Sequence, residues 1–365
     1  MSDELKTLFH EFDRGRLSRR RLFQALGLAA AGAAALHPAA SFAQGQCGGA
    51  RANLPECDPT PGKLPFERTN WKTVSLHHFS CQCVDYQKEA AWYQALMNWK
   101  IVADDGQQAT LDINGWGALV LRGGYQAPPA PPTPPPDAAA PAGRGGPRPP
   151  RNAVFDGFCW GIEPWSAKTV EAELKKRGLN PVAENHGDFQ SFHVKDPGGF
   201  NLQVSNASRK NRYLPSGVKS SAPAPFASTN WKTVWLDHIS FEVPNYKESV
   251  AFYDALLGWK PTKDEGSQNQ VEIGDIGDAI VRRGGGRGGG APRTAGIGHI
   301  AFGITPFDAD AVKAELEKRG LNAREDTGGR GDIHTAAYKS YHTTTPNGFD
   351  LQISATTKTN RNPLG

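Results

Sequence analysis

The sequence of 365 residues contains a long internal repeat. The hexapeptide TNWKTV occurs at residues 69–74 and again at 229–234. Further along, KRGLN occurs at 176–180 and again at 318–322. Repeats of this size, in the same order, indicate that one domain has been duplicated.

The histidines follow the repeat. Alignment of the two copies pairs His78 with His238, His186 with His334 and His193 with His342, while His299 of the second copy faces Gly157 of the first. Beyond residue 43, only His77 stands outside this alignment. The positions where the copies agree are therefore the first candidates for a functional site.

Residues 1–43 are typical of an export signal. The segment 18–23 reads SRRRLF, a weakly apolar run follows at 25–36, and small residues close the segment at 41–43. This pattern predicts a twin-arginine signal, the twin-arginine export machinery as a partner, and a periplasmic or secreted location in a bacterium. The alternative is a membrane anchor, but the apolar run is about a dozen residues against roughly 20 needed to span a bilayer. We expect no membrane span in the mature form.

Composition excludes one class of partner. Without residues 1–43 the chain carries 35 basic and 33 acidic residues, a net charge of about +2, which gives no indication of nucleic-acid binding. The mature chain is long enough for two domains with their own cores. Homo-oligomerisation is left open.

The five cysteines do not form a metal-binding motif of the CxxC type. Cys47 and Cys57 bracket a short Gly-rich stretch and are candidates for a disulfide in an oxidising compartment. Cys81 and Cys83 alternate along a predicted strand on the face opposite His78. Together with Cys159 they are expected to be small core residues.

Each copy shows the same pattern of elements, which predicts an α+β fold. In the second copy we expect strands at 234–243, 271–273, 279–281, 298–304, 336–341 and 349–354, and helices at 247–257 and 308–319. The Pro-rich stretch at 127–150 and the Gly-Arg stretch at 284–290 fall at the same place in the two copies. Insertions at this place indicate a surface loop between the two halves of each domain, where extra residues are tolerated.

The resulting domain plan has six parts. These are a signal peptide at 1–43, an N-terminal tail at 44–68, a first domain at 69–206, a linker at 207–228, a second domain at 229–356 and a C-terminal tail at 357–365.

Four strand-helix-strands units, with His-His or Asp-His on a first strand and a Pro-x-Gly turn before a last strand, resemble the vicinal oxygen chelate superfamily. This superfamily includes glyoxalases, fosfomycin and bleomycin resistance proteins and extradiol dioxygenases. Phe252-Tyr253 and the following Leu257-Gly258-Trp259 resemble the helix signature of the family. The resemblance implies tandem domains, each of two strand-helix-strand-strand-strand units that form a cupped antiparallel sheet around a metal.

The end of the second copy is similar to the extradiol dioxygenase signature, with two departures. His342 stands where the family has Tyr, and Gln352 stands where it has a metal-binding Glu. The first copy departs in the same way at His193 and Gln203. The same pair of changes in both copies points to an ancestral state or to a retained role.

Carried over by position, the metal ligands implied by the resemblance are His238, His299 and Gln352. Two imidazoles and an oxygen ligand with open positions suit a divalent metal, Fe(II) or Mn(II) in the first place. Gln352 brings no charge, so an anionic substrate would restore the balance. Glu242, four residues after His238 on the same face, is an alternative carboxylate, and Asp237 is expected to be a surface residue.

His334 and His342 are the predicted general acid and base, because imidazole titrates near neutral pH. The first copy has Gly157 in place of a ligand and is expected to be structural.

The first functional hypothesis is an exported metal-dependent enzyme, most like an extradiol ring-cleaving dioxygenase, acting on a small substrate that chelates the metal through two oxygens. Whether it is a dioxygenase, a lyase or an isomerase stays open.

The rival hypothesis is a metal-free protein that binds or sequesters a small hydrophobic or aromatic molecule, which the two glutamines favour. A third gives the Pro-rich stretch a docking role as a polyproline segment.

Overall fold

The computed structural model describes residues 62–127, 151–218, 222–284, 294–329 and 331–361. The predicted signal, Cys47, Cys57 and most of both low-complexity loops lie outside these ranges. Export, the disulfide and polyproline docking therefore stay predictions.

The first copy consists of two units with the same order of elements. The first unit is β1 (Lys72–Cys83), α1 (Tyr86–Met97), β2 (Lys100–Asp104), β3 (Gln108–Asp112) and β4 (Ala118–Arg122). The second unit is β5 (Ala153–Glu163), α2 (Ala167–Lys176), β6 (Val182–His186), β7 (Phe189–Lys195) and β8 (Asn201–Ser205). A short strand, β9 (Gly217–Val218), follows in the linker.

The second copy repeats this order. Its elements are β10 (Lys232–Val243), α3 (Tyr246–Leu257), β11 (Lys260–Asp264), β12 (Gln268–Ile273), β13 (Gly277–Arg283), β14 (Gly296–Thr305), α4 (Ala309–Lys318), β15 (Arg324–Asp326), β16 (Ser340–Thr344) and β17 (Asp350–Ser354). A 3₁₀ turn at Lys358–Asn360 follows. The α+β fold of duplicated units is confirmed, although β11 and β15 were not predicted, and the strand expected at 336–341 starts later, at Ser340.

Local sequence explains where the main helices begin and end. Asp85 and Asn245 precede α1 and α3, and their side chains accept the backbone N–H of Lys88 and Glu248, respectively. Gly258 ends α3 with φ of 68°, a left-handed conformation that glycine adopts without strain.

Each copy forms one sheet. The strand order is β6-β7-β8-β5-β1-β4-β3-β2-β9 in the first and β11-β12-β13-β10-β14-β17-β16-β15 in the second. The first strands of the two units pair antiparallel at the centre, as β10 does with β14. On either side they pair in parallel with the last strand of their own unit, β10 with β13 and β14 with β17. This arrangement brings both first strands and the last strand together, which is what the predicted site requires.

The two copies share a core between their sheets. Trp99 donates its indole N–H to Thr233 Oγ1 over 2.9 Å, and Trp259 donates to Thr73 Oγ1 over 3.0 Å, so each copy contributes the same contact to the other. Cys81 and Cys83 are buried in this core, as expected. Within the described ranges, no helix is long and apolar enough to cross a membrane.

Candidate active site in the second copy

Four neighbouring strands of the second sheet place polar side chains in one row. His238 on β10 pairs with Ala301 on β14, Ala301 with Gln352 on β17, and Gln352 with His342 on β16. Residues paired across strands project to the same face of a sheet, as do residues two apart along a strand. His299 therefore lies on that face beside Ala301, and the three predicted ligands come together with His342.

A β-bulge places Asp237 beside His238. Leu236 pairs with Phe302 and His238 pairs with Ala301, so Asp237 is an extra residue in the strand. Asp237 is only 6% exposed, and its Oδ1 lies 3.2 Å from Nδ1 of His238. Its Oδ2 accepts hydrogen bonds from the hydroxyls of Tyr338 and Thr356. The prediction that Asp237 is a surface residue is wrong, because it assumed unbroken strand alternation.

The two predicted imidazole ligands converge. Nε2 of His238 lies 3.0 Å from Nε2 of His299, and the rings meet edge to face. Burial above all, and then the proximity of His238 and His342, lower the pKa of His299 well below its usual value. His299 is therefore neutral at neutral pH, and a neutral imidazole has the lone pair that a metal requires.

Gln352 is buried with an unsatisfied acceptor. Its Nε2 donates to Ser340 Oγ over 2.7 Å and to Tyr338 Oη over 2.9 Å. Its Oε1 is buried and has no hydrogen-bond partner among the residues that the structure describes. An unpaired buried acceptor is costly unless something absent from the protein chain binds it. The residues present thus fit a divalent metal, with Gln352 Oε1 as the oxygen ligand.

His342 lies between two carboxylates. Its Nε2 is 3.1 Å from Asp326 Oδ2, and its Nδ1 is 3.3 Å from Asp350 Oδ1. Burial by itself would lower the pKa of His342, but the hydrogen bonds to both carboxylates outweigh it and raise the pKa above its usual value. Arg324 donates to Asp350 over 2.7 Å and balances its charge.

Asp350 supplies the carboxylate that the last-strand glutamine lacks. Donor atoms of His299, His342 and Asp350 all lie within 4.8 Å of one another. Asp350 pairs with His299 across β14 and β17, on the same face as Gln352. A carboxylate thus lies two residues from Gln352 on the same strand, paired with Arg324 and His342.

One predicted candidate, His334, lies apart from this cluster. The side chain of His334 is 54% exposed in the loop before β16, and its Nε2 lies 3.8 Å from Asp310 of α4. Glu242 packs against Gly298, where an added Cβ would lie 2.6 Å from its Oε1. Of the two proposed acid-base histidines, the structure brings only His342 to the ligands.

Sequence reasoning missed Asp326, Asp350 and Tyr338. The two-residue spacing of Asp350 from Gln352 was a usable signal, because it places both on one face of a strand. Asp326 and Tyr338 offered no comparable signal, since they lie in a three-residue strand and an irregular loop.

The fold is shared with solved enzymes. A Mn(II)-bound glyoxalase from Novosphingobium aromaticivorans superposes with a TM-score of 0.52 and 15% identity, covering 78% of this chain and 82% of that one. The 2,3-dioxygenase LapB from Pseudomonas sp. KL28 gives 0.53 and 12%, covering 78% and 92%. Homoprotocatechuate 2,3-dioxygenase from Arthrobacter globiformis gives 0.52 and 16%, covering 81% and 83%. At these identities the likeness shows the fold alone.

No curated protein sequence is significantly similar to the chain. A sequence model of one family does match, over residues 235–353, which span the central and last strands that carry His238, His299 and Gln352. Residues 235–353, within the second copy, thus match the model of the glyoxalase/bleomycin resistance protein/dioxygenase superfamily, and both copies have the fold seen in the solved enzymes above.

Proposed function

We propose that the chain is an exported metal-dependent enzyme of the vicinal oxygen chelate type, most similar to extradiol ring-cleaving dioxygenases. Its substrate would be a small molecule that chelates the metal through two oxygens. The observation that supports this is the convergence of two imidazole nitrogens, 3.0 Å apart, beside a buried amide oxygen without a partner.

His238, His299 and Gln352 would hold the metal, and Fe(II) or Mn(II) suits imidazole and oxygen ligands with open positions. When bound, such an ion polarises a substrate oxygen and favours its deprotonation. Asp237 accepts from Nδ1 of His238, which fixes the ring and leaves Nε2, on the side of His299, with a lone pair for the ion.

The remaining residues of the cluster handle protons and charge. The hydrogen bonds to Asp326 and Asp350 raise the pKa of His342 and favour its protonated form, so His342 is the proposed proton donor of the site. Gln352 is a neutral ligand and does not offset the charge of a metal ion. A substrate that loses a proton on binding would supply the missing negative charge. The chemistry of the site thus favours an acidic hydroxyl on the substrate.

Metal analysis of the purified mature protein tests the proposal. We expect about one Fe(II) or Mn(II) per chain after reconstitution, and loss of this ion in the double variant His238→Ala/His299→Ala. The first-copy variant His78→Ala is the matched control and should keep the ion. A wild-type protein that retains no ion would contradict the proposal. Oxygen uptake with catechol as the probe then tests for a dioxygenase.

Export is a separate part of the proposal and is supported by the arginine cluster before an apolar run at 18–36. Fusion of residues 1–43 to a reporter that requires twin-arginine export should carry the reporter out of the cytoplasm. Replacement of Arg19, Arg20 and Arg21 by lysine should abolish this. An unchanged export of the lysine variant would contradict the assignment.

Metal-free binding of a small molecule is the second candidate function. Both last-strand glutamines support it, since neither Gln203 nor Gln352 carries the charge of a metal-binding Glu. A ligand that binds equally with and without EDTA, and leaves unmodified, would favour this function.

A further inference from the structure

The first copy encloses a cavity of about 340 Å³ on the same face of its sheet that carries the candidate active site in the second. His78, Gly157 and Gln203 stand there in place of His238, His299 and Gln352. Pockets that bind small molecules begin at about 300 Å³. The copy expected to be structural thus has room for a ligand.

Two substitutions remove metal donors from this cavity. Gly157 replaces an imidazole, and Asn201, which pairs with Gly157, replaces the carboxylate of Asp350. A Cβ at position 157 would lie 3.1 Å from the Cβ of Asn201, so the glycine also keeps space that a side chain would occupy. The cavity therefore lacks the counterparts of His299 and Asp350 and keeps the space that a side chain at position 157 would fill.

A chain of hydrogen bonds fixes the protonation of His78. The carbonyl of Tyr213 can only accept, so Nε2 of His77, 2.9 Å away, carries a proton. Burial lowers the pKa of His77 to about 4, so its Nδ1 is unprotonated and accepts from Nδ1 of His78 over 2.8 Å. Burial also lowers the pKa of His78 well below its usual value, which leaves its Nε2 as a free acceptor.

One side of the cavity is a wall of stacked rings. His77 stacks on Phe189 with ring centroids 4.4 Å apart, Phe189 on Tyr213 at 5.9 Å, and Tyr213 on His186 at 5.3 Å. Tyr213 belongs to the linker, which Arg212 holds in place through Asp112 and the carbonyl of Gly117. Because these rings stack on one another, their edges rather than their faces are left for a ligand, and an aromatic ligand ring can pack against edges.

The charged side chains of the cavity contact one another, although Nε of Arg122 and Oδ1 of Asp156 have no hydrogen-bond partner among the described residues. Arg122 donates to Asp156, and Glu184 accepts from His186 and His193. Hydrogen bonds from these two histidines outweigh burial and lower the pKa of Glu184, so it stays ionised. A neutral ligand leaves these ion pairs intact.

We propose that the first copy is a second, metal-independent binding site for a small neutral phenol, whose ring packs against the edges of Phe189 and Tyr213 and whose hydroxyl donates to Nε2 of His78. This site stands whether or not the second copy is a metalloenzyme, because none of its groups needs an ion.

Binding of phenol to the mature protein in EDTA, measured by calorimetry, tests the site. Anisole, in which a methyl group replaces the hydroxyl proton, is the matched probe and should bind at least tenfold more weakly. A matched pair of variants tests the location of the site. Val120 lines the cavity and pairs with Ser80. Ile280 is the equivalent residue of the second copy, where it pairs with Ser240. Val120→Trp should weaken phenol binding at least tenfold, and Ile280→Trp should leave it unchanged.

Circular dichroism establishes that each variant is folded, and Ser80→Phe with Ser240→Phe replaces the pair if a tryptophan variant is not. No phenol binding by the wild type at millimolar concentration would overturn the proposal. Loss of phenol binding in the Ile280→Trp variant, with binding retained in the Val120→Trp variant, would also overturn the proposal. Equal affinity for phenol and anisole would overturn the hydrogen bond to His78.

Discussion

Asp237 and His238 are neighbours in the sequence and hydrogen-bond partners in the fold, with Oδ1 of the aspartate 3.2 Å from Nδ1 of the histidine. Adjacent residues of a regular strand point to opposite faces, and only the bulge allows this contact. The carboxylate is buried and also binds Tyr338 and Thr356, so its position is fixed from two sides.

Asp237→Asn should weaken binding of Fe(II) or Mn(II) by about 10- to 100-fold, the usual cost of losing the residue that orients a ligating histidine. The amide has one acceptor where the carboxylate serves three donors. Competition with a coloured chelator measures the affinity. His77→Gln, at the equivalent position of the first copy, is the control and should leave metal affinity unchanged. If both variants bind metal as the wild type does, Asp237 does not position a ligand.

Gln352→Glu should tighten metal binding by tenfold or more, about 1.4 kcal/mol, because it restores a charged ligand. The metal-free variant should be less stable than the wild type, since the new carboxylate would lie near Asp326. Gln203 is bound in the same way, by Ser191 and Glu184, and is the matched control. Gln203→Glu should change metal affinity little, because Gly157 leaves that copy without the counterpart of His299. Equal responses in the two copies would mean that the glutamines only bind their sheets.

His334→Ala and His342→Ala should differ in stability. His334 is half exposed, and its removal should change the free energy of unfolding by less than about 0.5 kcal/mol. Removal of His342 leaves Asp326 and Asp350 without their shared partner, at a cost of about 1–3 kcal/mol. Urea unfolding of the metal-free proteins measures both. A larger effect at His334 would show that it has a structural contact beyond Asp310.

The duplicated fold could be predicted because it is encoded locally. The strand β10 and the helix α3 are each 12 residues long and rich in buried apolar residues, and the repeat shows the pattern of each a second time. The strands β6 and β11 are exposed at every residue, so their pairing depends on neighbouring strands rather than on an apolar pattern. Such edge strands cannot be recognised from periodicity.

The candidate site was predictable to the extent that it follows strand alternation. His238, His299 and Gln352 come together as alternation and the resemblance implied. Asp237 was misplaced because a bulge is not visible in the sequence, and Asp326 was missed because its three-residue strand is set in place by pairing with β16. His334 was aligned with His186, but the loop before β16 carries it to the surface near α4.

Asp196 offers a test of how the copies pack against each other. It lies in the turn before β8, is 5% exposed, and accepts from the hydroxyl of Tyr253 in the other copy over 2.9 Å. Burial raises its pKa to about 6 from the ordinary value of 3.8, despite hydrogen bonds from Phe200 and Tyr253. The equivalent residue of the second copy is Thr345, a neutral side chain that accepts the same backbone hydrogen bond.

A carboxyl whose pKa is raised by folding favours the folded state most when it is protonated. Its contribution is complete below about pH 4 and is lost as the pH rises through about 6. A shift of about two units corresponds to about 3 kcal/mol at most. Asp196→Asn cannot ionise and keeps an oxygen for Phe200 N–H, so relative to the wild type it should gain up to about 3 kcal/mol between pH 4 and pH 7. Urea unfolding at each pH measures this, with exposed Asp188→Asn as the control. If the free energy of unfolding of the wild type and of the Asp196→Asn variant changed with pH in the same way, the Asp196 carboxylate would be solvated in the folded protein rather than buried against Tyr253.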